Sequence, residues 1–298
     1  MPLHEPQPVW RYAVFQISAA CLAICLVLAI LAGQLGWFPR LVAVHLALDL
    51  SGSTYDNSLA NFNKPGTIMA QEIEAVKAYA TRNAGLSQPN LISVSGFASS
   101  VVPITSGFSS DPQEITRAIN QVVQPSLANR ISGGTNINLA VENGLYTLKN
   151  QPTLCTEMLV ITDGVFSLEP EIIQQVQDHN VKLNFLIVGQ PLTVEINQWA
   201  NQTGGIALEA SSSSVIDLLS ETVFNRFNAS PLVSLFYGLA FISFMWMILL
   251  PLERFLDKSL RIRIDYASKV AVYNSMFWTV ATPIYLIASG LFNPFQSC

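Results

Sequence analysis

Asp49, Ser51 and Ser53 stand at alternate positions in the segment Asp49-Leu50-Ser51-Gly52-Ser53. One carboxylate and two hydroxyls offer only oxygen to a ligand. An extended or tightly turned backbone can aim all three at one point. They follow a near-continuous apolar run that begins at Leu41, and a short run bounded by turn residues marks a buried central strand. Hard oxygens converging just beyond a strand's carboxyl end suit a small hard cation such as Mg²⁺. The set contains no Cys or His, which argues against zinc or copper.

The same stretch resembles the first metal loop of the von Willebrand factor type A domain, the Asp-x-Ser-x-Ser of its metal-ion-dependent adhesion site. Two further loops appear in the family's order. Ser132-Gly133-Gly134-Thr135-Asn136 opens a helical stretch, and Ile161-Thr162-Asp163-Gly164 closes another apolar strand. The resemblance covers roughly Leu41 to Arg226. It implies a metal set of Asp49, Ser51, Ser53, Thr135 and Asp163, with direct bonds from the hydroxyls and largely water-mediated contact from the aspartates. Mg²⁺, or Mn²⁺ in its place, keeps near-octahedral geometry and several waters, which leaves one position for a partner's carboxylate. An ion with few directly bonded protein charges stays electrophilic, which strengthens that last bond.

The elements that must position these loops can be read in order. Leu41 to Asp49 is the first strand. Tyr55 to Gly66, rich in Asn, reads as a polar loop beside the metal, open to a part in partner choice or to a plain solvated role. Met69, Ile73, Val76 and Ala80 recur at helical spacing. Leu91–Phe97 and Ser100–Ile104 read as strands joined by a tight hairpin at Ala98-Ser99. Asp111 is expected to cap a helix lined by Ile115, Ile119 and Val122. Gly133 and Gly134 permit close backbone approach or positive φ. Thr135 then stands at the start of a helix faced by Ile137, Val141, Leu145 and Leu148. Met158–Thr162 and Leu183–Val188 are further strands, Ile206–Glu209 reads as an edge, and Val215, Leu218, Leu219 and Thr222 mark a final helix. Strands alternating with helices predict an α/β fold, a doubly wound, mostly parallel open sheet with helices on both faces.

The rest of the chain is of another kind. Half of its 298 residues are hydrophobic and only 12% are charged, against about 25% in ordinary globular proteins. No Asp, Glu, Lys or Arg occurs from Tyr12 to Pro39, from Phe227 to Leu252, or after Lys269. Each stretch exceeds the roughly 20 residues that cross a bilayer as a helix. The expected layout is a tail at residues 1–11 and spans at residues 12–33, 232–252 and 270–292. The soluble domain takes residues 41–228, a basic loop residues 253–269, and a short tail residues 293–298. The first apolar run is too long for a signal peptide's core and no Ala-x-Ala site follows, so it reads as a retained anchor. Arg254, Lys258, Arg261, Arg263 and Lys269 should hold the basic loop in the cytoplasm. The large domain then lies outside, which in a bacterial inner membrane means the periplasm.

Other residues carry less. His45, inside the first strand, reads as a core histidine. Cys21 and Cys25 read as small hydrophobes in the first span. A Cys155–Cys298 bridge is not expected, since one belongs to the domain and the other to the final tail. Ala29-xxx-Gly33 and Ser234-xxx-Gly238 suit helix contact in lipid, and Pro283 should kink the third span. Residues 41–226 hold 16 acidic and 8 basic side chains, a formal charge of about −8 that repels phosphate and argues against nucleic acid. No ionisable group inside a span marks an ion path, which weakens a transporter or channel subunit. No nearby His, Lys or Glu is evident as a general base, so no hydrolase is expected. The resemblance implies instead a membrane-anchored, metal-dependent protein-binding module, a subunit or assembly factor of a larger membrane complex. Bacterial membrane proteins of this kind often accompany AAA+ ATPases of the MoxR type. The expected topology puts this domain across the membrane from any such ATPase.

Overall fold

The apolar pattern separates the chain into two units, seen in a computed structural model that describes residues 8–34, 41–151, 155–164, 166–228 and 231–288. Helix α1 (Ala13–Gln34) comes first. The sheet unit follows as β1 (Val42–Asp49), α2 (Ile68–Asn83), β2 (Leu91–Phe97), β3 (Val101–Pro103), α3 (Pro112–Val122), α4 (Pro125–Ile131) and α5 (Ile137–Leu148). It continues through β4 (Cys155–Thr162), α6 (Pro170–Asp178), β5 (Lys182–Val188), α7 (Val194–Gln202), β6 (Ala207–Ala210), α8 (Val215–Asp217) and α9 (Phe224–Asn228). A π-helical stretch, Leu218–Val223, joins α8 to α9. The chain ends in α10 (Pro231–Met247), α11 (Leu249–Leu260) and α12 (Ile264–Ala288). Helices α1 and α10 to α12 form one compact unit, and β1 to α9 form the other.

In the sheet unit, β1 is buried at all eight positions. Successive side chains of a strand point to opposite faces, so both faces of β1 need cover. Val42, Val44, Leu46 and Leu48 join one core with Met69, Ile73 and Val76 of α2 and Ile115 and Ile119 of α3. Ala43 and Ala47 join the other core with Ile137, Val141 and Leu145 of α5. His45 lies on β1 with 2% of its surface exposed. Its ring nitrogens hydrogen-bond the Ser93 and Ser95 hydroxyls at 2.8 and 2.9 Å, so burial costs it no partner.

The strand order is β3-β2-β1-β4-β5-β6. Every pair is parallel except β2 with β3, which gives the expected mostly parallel, doubly wound sheet. The chain runs outward from β1 through β2 to β3, then returns to lay β4 on the other side of β1. That reversal is a topological switch point, and the crevice beyond the carboxyl ends of β1 and β4 is where such sheets bind ligands.

Several elements differ from the reading of the sequence. Residues 55–66 are not a simple polar loop. Short 3₁₀ turns at Gly52–Tyr55 and Leu59–Asn61 fold it, and Tyr55 and Phe62 are buried edge to face, 5.1 Å between ring centroids. Helices α4, α6 and α7 come in addition. Pro125 and Pro170 start the first two, where a missing N–H costs nothing, and the Thr193 hydroxyl caps α7 by accepting from Ile196 N.

Among the described residues, the second unit holds three helices long and apolar enough to cross a membrane, within Ala13–Ala32, Leu232–Leu260 and Ile264–Ala288. The basic segment 253–269 is largely helical. Helix α11 continues to Leu260, Arg261 turns the chain with φ of 53°, and α12 begins at Ile264. Glu, Lys and Arg are good helix formers, so the charges that end an apolar span do not end a helix. Gly238 of α10 leaves room for Leu286 of α12, which a Cβ would meet at 2.6 Å. Ser275 donates to the Met245 carbonyl at 2.9 Å, and Trp246 Nε1 donates to Thr279 Oγ1 at 3.0 Å. Such bonds tie helices together in lipid. Cys298, and with it the pairing weighed for Cys155, lies outside the described residues, as does the chain beyond Ala288.

Candidate metal centre

Strand register places the first and third loops side by side. Leu48 pairs with Ile161 across β1 and β4, so Asp49 stands level with Thr162. The Thr162 hydroxyl donates to Asp49 Oδ2, and Ser51 N donates to Asp49 Oδ1 at 2.9 Å. Both carboxylate oxygens are thereby fixed at the strand's end. Ser51 Oγ and Ser53 Oγ lie 3.1 Å apart, and Ser53 Oγ donates to Asp163 Oδ1 at 2.8 Å. One hydroxyl thus links loops 110 residues apart in the chain.

The second loop is held to both. Gly52 N donates to the Gly133 carbonyl at 3.0 Å. A side chain at Gly52 would collide with Asn57, whose Oδ1 would lie 2.1 Å from the added Cβ. Gly134 N donates to Ser99 Oγ at 3.0 Å, and a Cβ at Gly134 would stand 2.6 Å from that oxygen. Of the two roles open to this glycine pair, Gly134 takes the close approach, and the positive φ falls on Ser132, at 62°. The hairpin residues Ala98 and Ser99 brace the loop, because Asn136 N donates to the Ala98 carbonyl and Ser99 N to the Ile131 carbonyl. Asn136 then caps α5 by accepting from Leu139 N. Thr135 comes to lie against the third loop. A Cβ added at Gly164 would be 3.9 Å from Thr135 Oγ1 and 3.4 Å from Thr162 Oγ1.

Asp49, Ser51, Ser53 and Asp163 therefore meet beyond the carboxyl ends of β1 and β4, and Thr135 lies beside Gly164. Their exposure is graded. Asp49 and Ser51 are buried, Asp163 is half-buried, and Ser53 and Thr135 are exposed, so the group opens to solvent on the side of the two hydroxyls. Burial pushes the Asp49 carboxyl up to about 6, against hydrogen bonds from Ser51 and Thr162 that favour its charge. Burial also raises Asp163, and the bond from Ser53 opposes this. Among the described residues, no Lys or Arg forms an ion pair with either aspartate. Clustered hard oxygens, two acids without a cationic side chain, and an open side fit a hard divalent cation. No three His, Cys, Asp or Glu side chains among the described residues gather as a metal cluster, so hydroxyls supply most of the convergent donors.

Two neighbours of the site escape sequence reasoning. Thr162 orients Asp49, and its signal is its place beside Asp163 at the end of an apolar run. Glu72 of α2 is fully buried. Burial raises its carboxyl well above the ordinary range, and the charges of Asp49 and Asp163 add to the shift. A glutamate thus lies near the site after all. With no exposed surface, it is screened from any substrate that a general base would need to reach.

No protein-family profile matches this chain, and no curated protein matches it. Solved structures do. A von Willebrand factor type A protein from Catenulispora acidiphila is 15% identical with a TM-score of 0.49, over 62% of this chain and 42% of that one. Proximal thread matrix protein 1 from the mussel byssus, with a zinc-occupied adhesion-site motif, is 16% identical with a TM-score of 0.47, over 62% and 48%. An aerotolerance-related membrane protein from Bacteroides fragilis is 17% identical with a TM-score of 0.45, over 62% and 99%. The chain spans less than half the length of the first two. By its own strand order and its three converging loops, the sheet unit has the von Willebrand factor type A fold, and the described residues also include three apolar helices of membrane-spanning length.

Proposed function

We propose that this protein is a membrane-anchored protein-binding module whose contact with its partner runs through a divalent cation, Mg²⁺ or Mn²⁺. The observation that carries the reading is the convergence of three loops, with Ser53 bonded to Asp163 and Thr135 against Gly164. Asp49, Ser51, Ser53, Thr135 and Asp163 would hold the ion. Bound there, it would supply a Lewis-acidic position for an Asp or Glu of the partner. The exposed side at Ser53 and Thr135 leaves that position reachable. Such a module serves as a subunit or assembly factor of a membrane complex. The basic residues between Glu253 and Lys269 support a cytoplasmic turn there, with the soluble unit on the outer side of a bacterial inner membrane.

The test is co-purification in mild detergent of wild type, Asp163→Ala and Thr135→Ala, each with Mg²⁺ or EDTA. Asp163→Ala and EDTA should lower partner recovery by similar amounts. Their effects should not add, because both remove one interaction. Thr135→Ala should act in the same sense but more weakly, since water can replace a hydroxyl. Recovery unchanged in every condition would leave a metal-independent scaffold and defeat the proposal.

A further inference from the structure

Helix α2 carries a charged residue in a place reserved for apolar ones. Its buried stripe runs Met69, Ile73, Val76 and Ala80, and Glu72 sits within it with 0% of its surface exposed. Both carboxyl oxygens are buried and neither has a hydrogen-bond partner. Buried polar groups are almost always partnered, and leaving one unpaired costs more than removing it altogether. The helix packs against β1 and against the Gly52–Tyr55 turn, which places Glu72 behind the first metal loop. The charges of Asp49 and Asp163 add to the rise that burial gives its carboxyl. Among the described residues no Lys or Arg pairs with any of the three. An apolar residue would serve packing better here, and the opposite charge would serve the aspartates better. A third acid here stays protonated until positive charge arrives from outside.

We propose that Glu72 is a third acidic group behind the metal centre, a positioning residue that holds the divalent ion through water, and that the ion is the counter-charge its burial lacks. This rests on the metal-centre reading above. Because Glu72 does not join a cluster of directly converging ligands, its effect falls on how firmly the ion is retained, and the open position stays with the partner. It gives the site an ion to offer before any partner comes.

The experiment uses the detergent-solubilised full chain, titrated with MnCl₂ and followed by the loss of the free Mn²⁺ electron paramagnetic resonance signal. Glu72→Gln keeps the shape and removes the charge, and Glu72→Met also removes the orphaned polar atoms. Each should weaken Mn²⁺ binding about 10–100-fold, the usual cost of losing a group behind a metal's ligands. Glu72→Met should also melt at or above wild type in EDTA, while its melting temperature rises less when Mn²⁺ is added. Asp49→Ala is the control. If it abolishes binding while both Glu72 variants bind within two-fold of wild type, Glu72 has no part in the centre and the metal reading stands. If wild type itself binds no Mn²⁺, both readings fall. Loss of the fold in both Glu72 variants would show a packing role and would also overturn the proposal.

Discussion

The two ends of the sheet treat buried polar groups in opposite ways. At the amino ends of the strands most are matched, the buried Tyr79 hydroxyl being an exception. Asn83 and Asn90 exchange hydrogen bonds at 2.9 and 3.0 Å. Asn90 also accepts from Val42 N and donates to Asn228 Oδ1. Buried Glu157 accepts from Asn184 at 2.9 Å and lies 3.6 Å from Lys182 Nζ. At the carboxyl ends, Asp49 and Asp163 are brought together with hydroxyls, the Glu72 carboxyl is buried without a partner, and among the described residues no Lys or Arg pairs with any of the three. One end is arranged so that the folded chain is complete by itself. The other is arranged so that something must be added. The proposed function lies at the second end, so variants there should change metal binding while variants at the first should change stability.

The largest effect belongs to the functional end. Asp49→Ala should abolish Mg²⁺ binding measured by calorimetry on the full chain, a loss beyond about 100-fold, and metal-dependent partner recovery should vanish with it. The unfolding temperature in EDTA should fall only modestly, because the substitution removes an acid that burial disfavours while leaving the Ser51 N–H and the Thr162 hydroxyl without their acceptor. A variant that still binds Mg²⁺ would break the comparison at its first term.

Acid should probe the middle of β1. Burial lowers His45 from its ordinary 6.5 to about 4. The folded state therefore holds the ring neutral while the unfolded chain takes a proton, and stability is lost as pH falls from about 6.5 toward 4. The loss from His45 alone amounts to roughly 3 kcal/mol. Asp49 works in the opposite sense, since its raised carboxyl favours the fold as pH falls through about 6. Denaturant unfolding of wild type and His45→Met at pH 7 and pH 4 isolates the histidine, and equal acid sensitivity in the two would refute the assignment.

At the matched end, Asn90→Ala leaves the Val42 N–H and Asn228 without their partner. It should cost about 2 kcal/mol in denaturant unfolding while Mg²⁺ affinity stays within two-fold. Altered affinity would mean that the two ends are coupled. The smallest effect is expected at the mouth of the site. Thr135→Ala should weaken Mg²⁺ binding by only about five-fold, because an exposed position admits a replacement water.

How much of this can be read from the sequence depends on locality. Asp49, Ser51 and Ser53 lie within five residues at the end of an apolar run, so their convergence is a matter of strand geometry. Thr135 and Asp163 become legible only through the order of loops in a familiar family, since nothing local joins residues 110 positions apart. Glu72 is invisible because a helical pattern records where apolar residues fall, and a lone acid in the stripe reads as a surface residue. Helices α6 and α7 are short and bury few side chains each, too little for periodicity to register. The basic segment was placed by hydropathy, which marks where lipid ends and leaves open where a helix does.

The Asn90 side chain reaches Val42, at the start of the soluble unit, and Asn228, at its finish. The unit's two ends are thus one asparagine apart, about eight residues of strand, or roughly 25 Å, from the mouth of the metal site. To the rest of the chain, 187 residues between these points act as a loop that is already closed. The entropy of bringing the ends together is absorbed within the domain's own fold. A short flexible linker in its place should leave the flanking apolar helices with the same connection, which makes the domain removable in a way that its central position in the chain conceals.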